Sequence, residues 1–290
     1  MTLAGKISTE IGVHATAAKW FNLYTTKLHH VQNLTDRIHG VKLHHGHDWH
    51  RNESIKHWTY TIEGKVITCY ESVESVDEAN KRITYKLFNG DIDSQFKMFK
   101  LIFEVVEGDG GAIIKWSVEY ERVNEEVDPP YGFLVFFLIT MSLSGKISIE
   151  IEVHATAAKW FNLFTTQLHE VQNLTNRVHE TKLHRGRDWH HTESIKQWTC
   201  TIDGKVTKCQ ESIESVDAAN KRISYKLFGG DIGSKYKVFK LIFQAIDKDG
   251  GAIIKWTIEY ERIGQEVDPP YGYVEYLHTT SGEVDGHLKA

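Results

Sequence analysis

Met141-Ser142-Leu143-Ser144-Gly145-Lys146-Ile147-Ser148 repeats Met1-Thr2-Leu3-Ala4-Gly5-Lys6-Ile7-Ser8, and the offset of 140 holds without a gap to Thr140 and Thr280. Along it, 94 of the 140 pairs are identical. A period this long is a whole domain, not a solenoid unit. The 290 residues therefore read as two copies of one domain, 1–140 and 141–290. All eight Trp fall in pairs: Trp20/Trp160, Trp49/Trp189, Trp58/Trp198 and Trp116/Trp256. The copies diverge at their ends. Residues 131–140 match 271–280 at three positions, and the ten residues Ser281–Ala290 have no counterpart, because copy one runs directly into Met141. No Gly/Ser- or Pro-rich linker separates them.

Composition narrows the class. With 41% hydrophobic and 25% charged residues and only 4 Pro, the chain is neither collagen-like nor disordered. A net charge of −5 gives no general electrostatic footprint for nucleic acid, which is excluded as a partner. The longest apolar run, Phe133–Ile139, is far shorter than the ~20 residues of a membrane-spanning helix. Three Cys make no disulfide framework, and Met1–Lys6 has no apolar signal core, so the expected location is the cytoplasm.

Periodicity gives the elements. Residues 3–13 alternate as a strand, and Ala17, Trp20, Phe21, Tyr24 and Leu28 lie at the spacing of an amphipathic helix. A second short helix is predicted over 26–35. Strand-like runs follow at 38–45, 54–62, 65–75, 80–89, 94–106 and 112–122, with turns at Glu63-Gly64, Asn89-Gly90 and Gly108–Gly111. A closing helix ends the domain. Consecutive hairpins without helical crossovers predict an antiparallel sheet and an α+β fold.

Alternation also assigns an inner face. In copy one it carries Trp58, Tyr60 and Ile62, then Ile83, Tyr85 and Leu87, then Phe99, Leu101 and Phe103, then Trp116, Val118 and Tyr120. In copy two it carries Trp198 and Ile202, then Ile223, Tyr225 and Leu227, then Phe239, Leu241 and Phe243, then Trp256, Ile258 and Tyr260. Val274 and Leu277 lie opposite, on the closing helix. Lys97, Lys86, Arg82, Lys115 and Glu119 take the outer face. Alternation alone leaves a packed and a hollow interior equally open.

Several motifs occur in order in both copies. They include Gly5-Lys6-Ile7-Ser8, Ala17-Ala18-Lys19-Trp20-Phe21, Asp48-Trp49-His50, Glu53-Ser54-Ile55-Lys56, Gly90-Asp91-Ile92, Gly111–Trp116, Glu119-Tyr120-Glu121-Arg122 and Asp128-Pro129, with Val284-Asp285-Gly286-His287-Leu288 in copy two alone. Together they resemble the plant major latex protein family, within the wider Bet v I-like fold. The resemblance implies two tandem helix-grip domains. Each would be a curved seven-stranded antiparallel sheet with two short helices and a long C-terminal helix, truncated in the first copy. It also implies an apolar cavity between sheet and helix, lined by the inner-face residues named above. The implied function is binding or carrying of hydrophobic small molecules, associated with defence and stress responses. The alternative is an enzyme using the same cavity, condensing small aromatics or cleaving RNA.

Departures from the family pattern argue against catalysis. The wider family's loop before the third strand is Gly-rich, whereas His44–Asn52 holds one Gly, and a phosphate nest needs several free N–H groups. His44, His45, His47 and His50 could ligate a metal, but copy two places Arg185 and Arg187 at two of these positions. A solvated loop is the better reading. Cys69, Cys200 and Cys209 read as free structural thiols. Lys115 and Glu119, with Lys255 and Glu259, have the parity of the outer face, where an exposed Lys is a poor catalyst. No catalytic residue, metal site or cofactor is expected. Copy one, with its short closing segment 131–140, is expected to be the less stable domain. The missing linker predicts a contact between the copies around residues 131–145.

Overall fold

Each repeat opens with a strand that finds its partner last. The computed structural model describes residues 3–33, 37–49, 51–62, 64–133, 143–264 and 267–289. Two units separate, Leu3–Ser142 and Leu143–Ala290. The first runs β1 (Ala4–Val13), α1 (Ala17–Thr26), a 3₁₀ turn (Leu28–Asn33), β2 (Ile38–His45), β3 (Ile55–Ile62), β4 (Lys65–Asp77), β5 (Arg82–Phe88), β6 (Phe96–Gly108) and β7 (Gly111–Arg122). Its seven antiparallel strands lie in the order β2-β3-β4-β5-β6-β7-β1.

The second unit repeats this plan. It runs β8 (Ser144–Val153), α2 (Ala157–Thr166), a 3₁₀ turn (Leu168–Glu170), α3 (Val171–Leu174), β9 (Val178–Arg185), β10 (Ile195–Ile202), β11 (Lys205–Asp217) and β12 (Arg222–Phe228). A single turn α4 (Gly230–Gly233), β13 (Tyr236–Lys248), β14 (Gly251–Arg262) and the 18-residue α5 (Tyr271–Leu288) complete it. Its strand order is β9-β10-β11-β12-β13-β14-β8, again antiparallel. The turn α4 had no signal in the alternation pattern.

Local chemistry explains these elements. Thr16 and Thr156 cap their helices, each side-chain oxygen accepting from the N–H three residues on. Asp203 and Gly204 both have positive φ, so a two-residue turn joins β10 to β11 and sets Cys200 opposite Thr207 and Trp198 opposite Cys209. Register shifts between Val73 and Ser75, and between Ile213 and Ser215, put a bulge in the long strand of each sheet. A bulge bends its strand and raises the local twist, which curves the sheet around its inner face.

The closing segments differ in what is described. A helical turn at 131–133 begins that of the first repeat, and Phe133 packs on Phe99 at 4.7 Å between ring centroids. The rest of the segment, and most of the expected contact at 131–145, lies outside the described residues. In the second repeat α5 buries Val274, Leu277 and Val284. Each such side chain contributes roughly 1.5–3 kcal/mol on leaving water. Among the described residues, no helix is long and apolar enough to cross a membrane.

Candidate functional site

Between sheet and closing helix the second repeat encloses a cavity of about 90 Å³. Its floor alternates along the hairpin strands: Trp198, Cys200 and Ile202 on β10, Thr207, Cys209 and Glu211 on β11, Tyr225 and Leu227 on β12. Leu241 and Trp256 form a wall from β13 and β14. Tyr273, Tyr276, Leu277 and Thr280 roof it from one face of α5, and Phe164, Leu168 and Val171 close the side. The volume is well below the ~300–1,000 Å³ of sites for drug-sized ligands, so a compact guest fits this conformation.

The inner-face residues divide into two groups. Trp198, Ile202, Tyr225, Leu227, Leu241, Trp256 and Leu277 line the cavity. Ile223, Phe239, Phe243, Ile258, Tyr260 and Val274 are buried but pack into solid core instead. Phe243 is covered by Phe164 at 4.5 Å and Trp256 at 5.1 Å, and Phe239 by Tyr273 at 4.9 Å. Tyr260 lies over Gly145, where a Cβ would meet its hydroxyl at 2.6 Å. Parity gave the face but not which part of it the helices leave uncovered. The lining from α2, the 3₁₀ turn and α3, and Tyr273, Tyr276 and Thr280 on the roof, were not anticipated.

In the first repeat all twelve expected residues, from Trp58 to Tyr120, are buried. Tyr24 packs on Phe103 at 4.3 Å and Trp116 at 5.2 Å, the place Phe164 takes in the second repeat. A cavity of about 180 Å³ lies beside it, lined by Tyr24, Thr25, Leu28, Trp49, Val73, Val76, Glu78 and Ile83. Of the twelve, Ile83 alone borders this cavity.

A buried ion pair forms the polar end of the second-repeat cavity. Lys196 and Glu211 are cross-strand partners, their charged atoms 3.4 Å apart, with the Lys196 side chain wholly buried. Burial pushes the Glu211 carboxyl above its ordinary range, against the pull of the Lys196 ammonium and the Trp198 indole N–H. The first repeat holds the same pair, Lys56 and Glu71, at 3.4 Å. Sequence reasoning passed over both, although Lys56 has the parity of Trp58 and Tyr60 and so belongs on the inner face.

The thiols are poorly nucleophilic. Burial raises Cys200 to about 11 and Cys69 to about 12, so neither is a thiolate at neutral pH. Tyr276 donates its hydroxyl to Cys200 Sγ at 3.5 Å. Lys115 pairs with Glu10 at 3.7 Å, Lys6 with Glu119 at 3.0 Å and Lys255 with Glu150 at 2.9 Å, all partly exposed on the outer face. Among the described residues, no group of three or more His, Cys, Asp or Glu is arranged to hold a metal ion. His50 of the His-rich loop lies outside the described residues, and His44 packs edge-on against Tyr70.

The C-terminal turns of α5 hold the roof down. Asp285 accepts from the backbone N–H of His154 and of Ala155, the latter at 2.9 Å, and contacts His154 Nδ1 at 3.0 Å. Burial pushes its carboxyl up, but these hydrogen bonds outweigh burial and hold it below the ordinary value. Trp256 donates its indole N–H to Ser281 Oγ at 3.0 Å, and Lys159 donates to the Leu288 carbonyl at 2.8 Å. Arg177 pairs with Glu275 at 2.9 Å, and Thr175 donates to Glu283.

A seven-stranded antiparallel sheet present in both halves of the chain, closed by a long helix in the second, defines the class of protein. The chain belongs to the pathogenesis-related protein Bet v 1 family, whose profile matches residues 2–141 and again 142–290. It is 31% identical to MLP-like protein 28 of Arabidopsis thaliana, covering all of this chain and 93% of that protein. It is 30% identical to MLP-like protein 34 of the same plant, over all of this chain and 97% of the relative. Among solved structures, ginseng major latex-like protein 151 from Panax ginseng is 24% identical. It covers 51% of this chain and 100% of its own, with a TM-score of 0.49.

Proposed function

We propose that this protein binds and carries hydrophobic small molecules without transforming them, within the cytoplasm of a plant cell and in its defence or stress responses. The observation that carries the reading is the cavity of the second repeat, roofed by α5 and walled almost entirely by aromatic and aliphatic side chains. Family membership supports it. A non-catalytic role draws support from the thiols raised by burial and from the outer-face placement of the Lys115 and Lys255 pairs.

Native mass spectrometry tests this on the full chain. Protein purified from its own tissue is expected to release an apolar compound on denaturation, and the emptied protein to take up one- or two-ring apolar compounds. Protein that carries nothing and takes up none of them overturns the reading. Incubated with RNA, it is expected to leave the RNA intact. Cleavage abolished by a point change in loop 44–52 or 184–192 overturns the non-catalytic part.

A further inference from the structure

Apolar walls do not account for every atom that faces the cavity. Tyr225 is 1% exposed and lines it, and its hydroxyl has no hydrogen-bond partner among the described residues. Buried hydroxyls in folded proteins are normally satisfied, so an orphan facing a cavity marks a place for a guest. Glu211, also in the lining, is its diagonal neighbour on the inner face, because Tyr225 pairs with Ile213 and Leu227 with Glu211. Lys196 stands behind Glu211 and is not part of the lining. A guest therefore meets the carboxylate of a matched pair, while the ammonium is already neutralised. The first repeat holds the same set: Lys56 with Glu71, and Tyr85 at 2% exposure with its hydroxyl unpartnered among the described residues.

We infer that this site selects compact apolar compounds bearing a neutral hydroxyl, phenols or alcohols, and rejects carboxylates. A ligand hydroxyl accepts a hydrogen bond from Tyr225 and donates one to Glu211, satisfying both walls at once. A ligand carboxylate leaves its charge buried against Glu211 with no free cation to compensate. The inference rests on the carrier reading above, and it adds the chemistry of the head group.

The test is equilibrium binding of the full chain at pH 7 to three probes of one ring system: naphthalene, 2-naphthol and ionised 2-naphthoate. 2-Naphthol is expected to bind at least about tenfold more tightly than 2-naphthoate. Tyr85→Phe with Tyr225→Phe should weaken 2-naphthol by about three- to tenfold and leave naphthalene unchanged. Glu71→Gln with Glu211→Gln frees both ammonium groups and should strengthen 2-naphthoate about tenfold or more. If that variant does not fold, the tyrosine pair decides, because phenylalanine keeps the ring. Wild-type protein that binds 2-naphthoate as well as 2-naphthol overturns the inference, as does a tyrosine variant with its preference for 2-naphthol intact. Failure to bind any of the three overturns the carrier reading itself, a separate result.

Discussion

In the first repeat the Tyr60 hydroxyl on β3 bonds Cys69 at 3.1 Å; in the second, position 60 has become Cys200 and the hydroxyl that reaches it belongs to Tyr276, on the closing helix. A hydroxyl–thiol contact is thus made between two sheet strands in one copy and from the roof in the other, and the sulfur that takes part sits on β4 in the first and on β10 in the second. The first turn of the domain changes too. Trp160 on α2 is fully buried, whereas its counterpart Trp20 on α1 is only half-buried. The residues that clamp α5, Ser281, Asp285 and Leu288, align with positions 141, 145 and 148, where the chain has already begun the next repeat. The two sheets keep their strands, register and buried ion pair although the residues at position 60 and its equivalent differ.

The largest expected effect comes from making the second repeat resemble the first. Ending the chain at Thr280 removes the buried Val284 and the Asp285 clamp, a loss of about 3–6 kcal/mol. Hydrogen exchange resolved by segment should show β8 and α2 losing protection while β1 and α1 keep theirs. Unchanged protection in α2 would mean that the last ten residues do not hold the lid.

Asp285→Ala is the narrower version and should cost ~2–3 kcal/mol in the second repeat alone. It also carries a pH dependence. Because the folded carboxyl is held below its ordinary value, its contribution is complete above the unfolded carboxyl's pKa of about 4 and is lost as pH falls through the lower folded value. Acid should therefore loosen the wild-type second repeat more than an Asp285→Asn variant. Equal acid sensitivity in the two proteins would remove the clamp from the account.

Cys200→Tyr transplants the first repeat's residue into the second. Its ring enters the cavity and competes with Tyr276, so 2-naphthol binding at that site should weaken by about tenfold, with a change in stability of ~1–3 kcal/mol. Undiminished binding would place the ligand elsewhere. The smallest effect expected is for Ser281→Ala. It leaves the Trp256 indole N–H without its partner and should lower stability by ~1 kcal/mol, read as a shift in the denaturation midpoint.

Much of this architecture is local and therefore written in the sequence. Strand alternation and the apolar spacing from Ala17 to Leu28 placed the helix and all seven strands of each repeat within a few residues of their ends. The turn Asp203-Gly204 set the register that keeps Cys200 and Cys209 apart. Period and turn chemistry depend on residues close along the chain, so one sequence suffices to read them. The cavity is another matter. Phe243 and Tyr225 have the same parity, yet Phe164 packs on one while the other faces the cavity. That outcome depends on how α2 and α5 lie on the sheet, through contacts far apart in the chain. The Lys196–Glu211 pair falls between these cases. Lys196 shares the parity of Trp198, which the sequence reading passed over, but only the pairing of β10 with β11 set its charge against Glu211, and only the packed interior made that pairing obligatory. The clamp of Asp285 on His154, 131 residues apart, exists only in the folded chain, because tertiary packing brings the end of α5 over the end of β8.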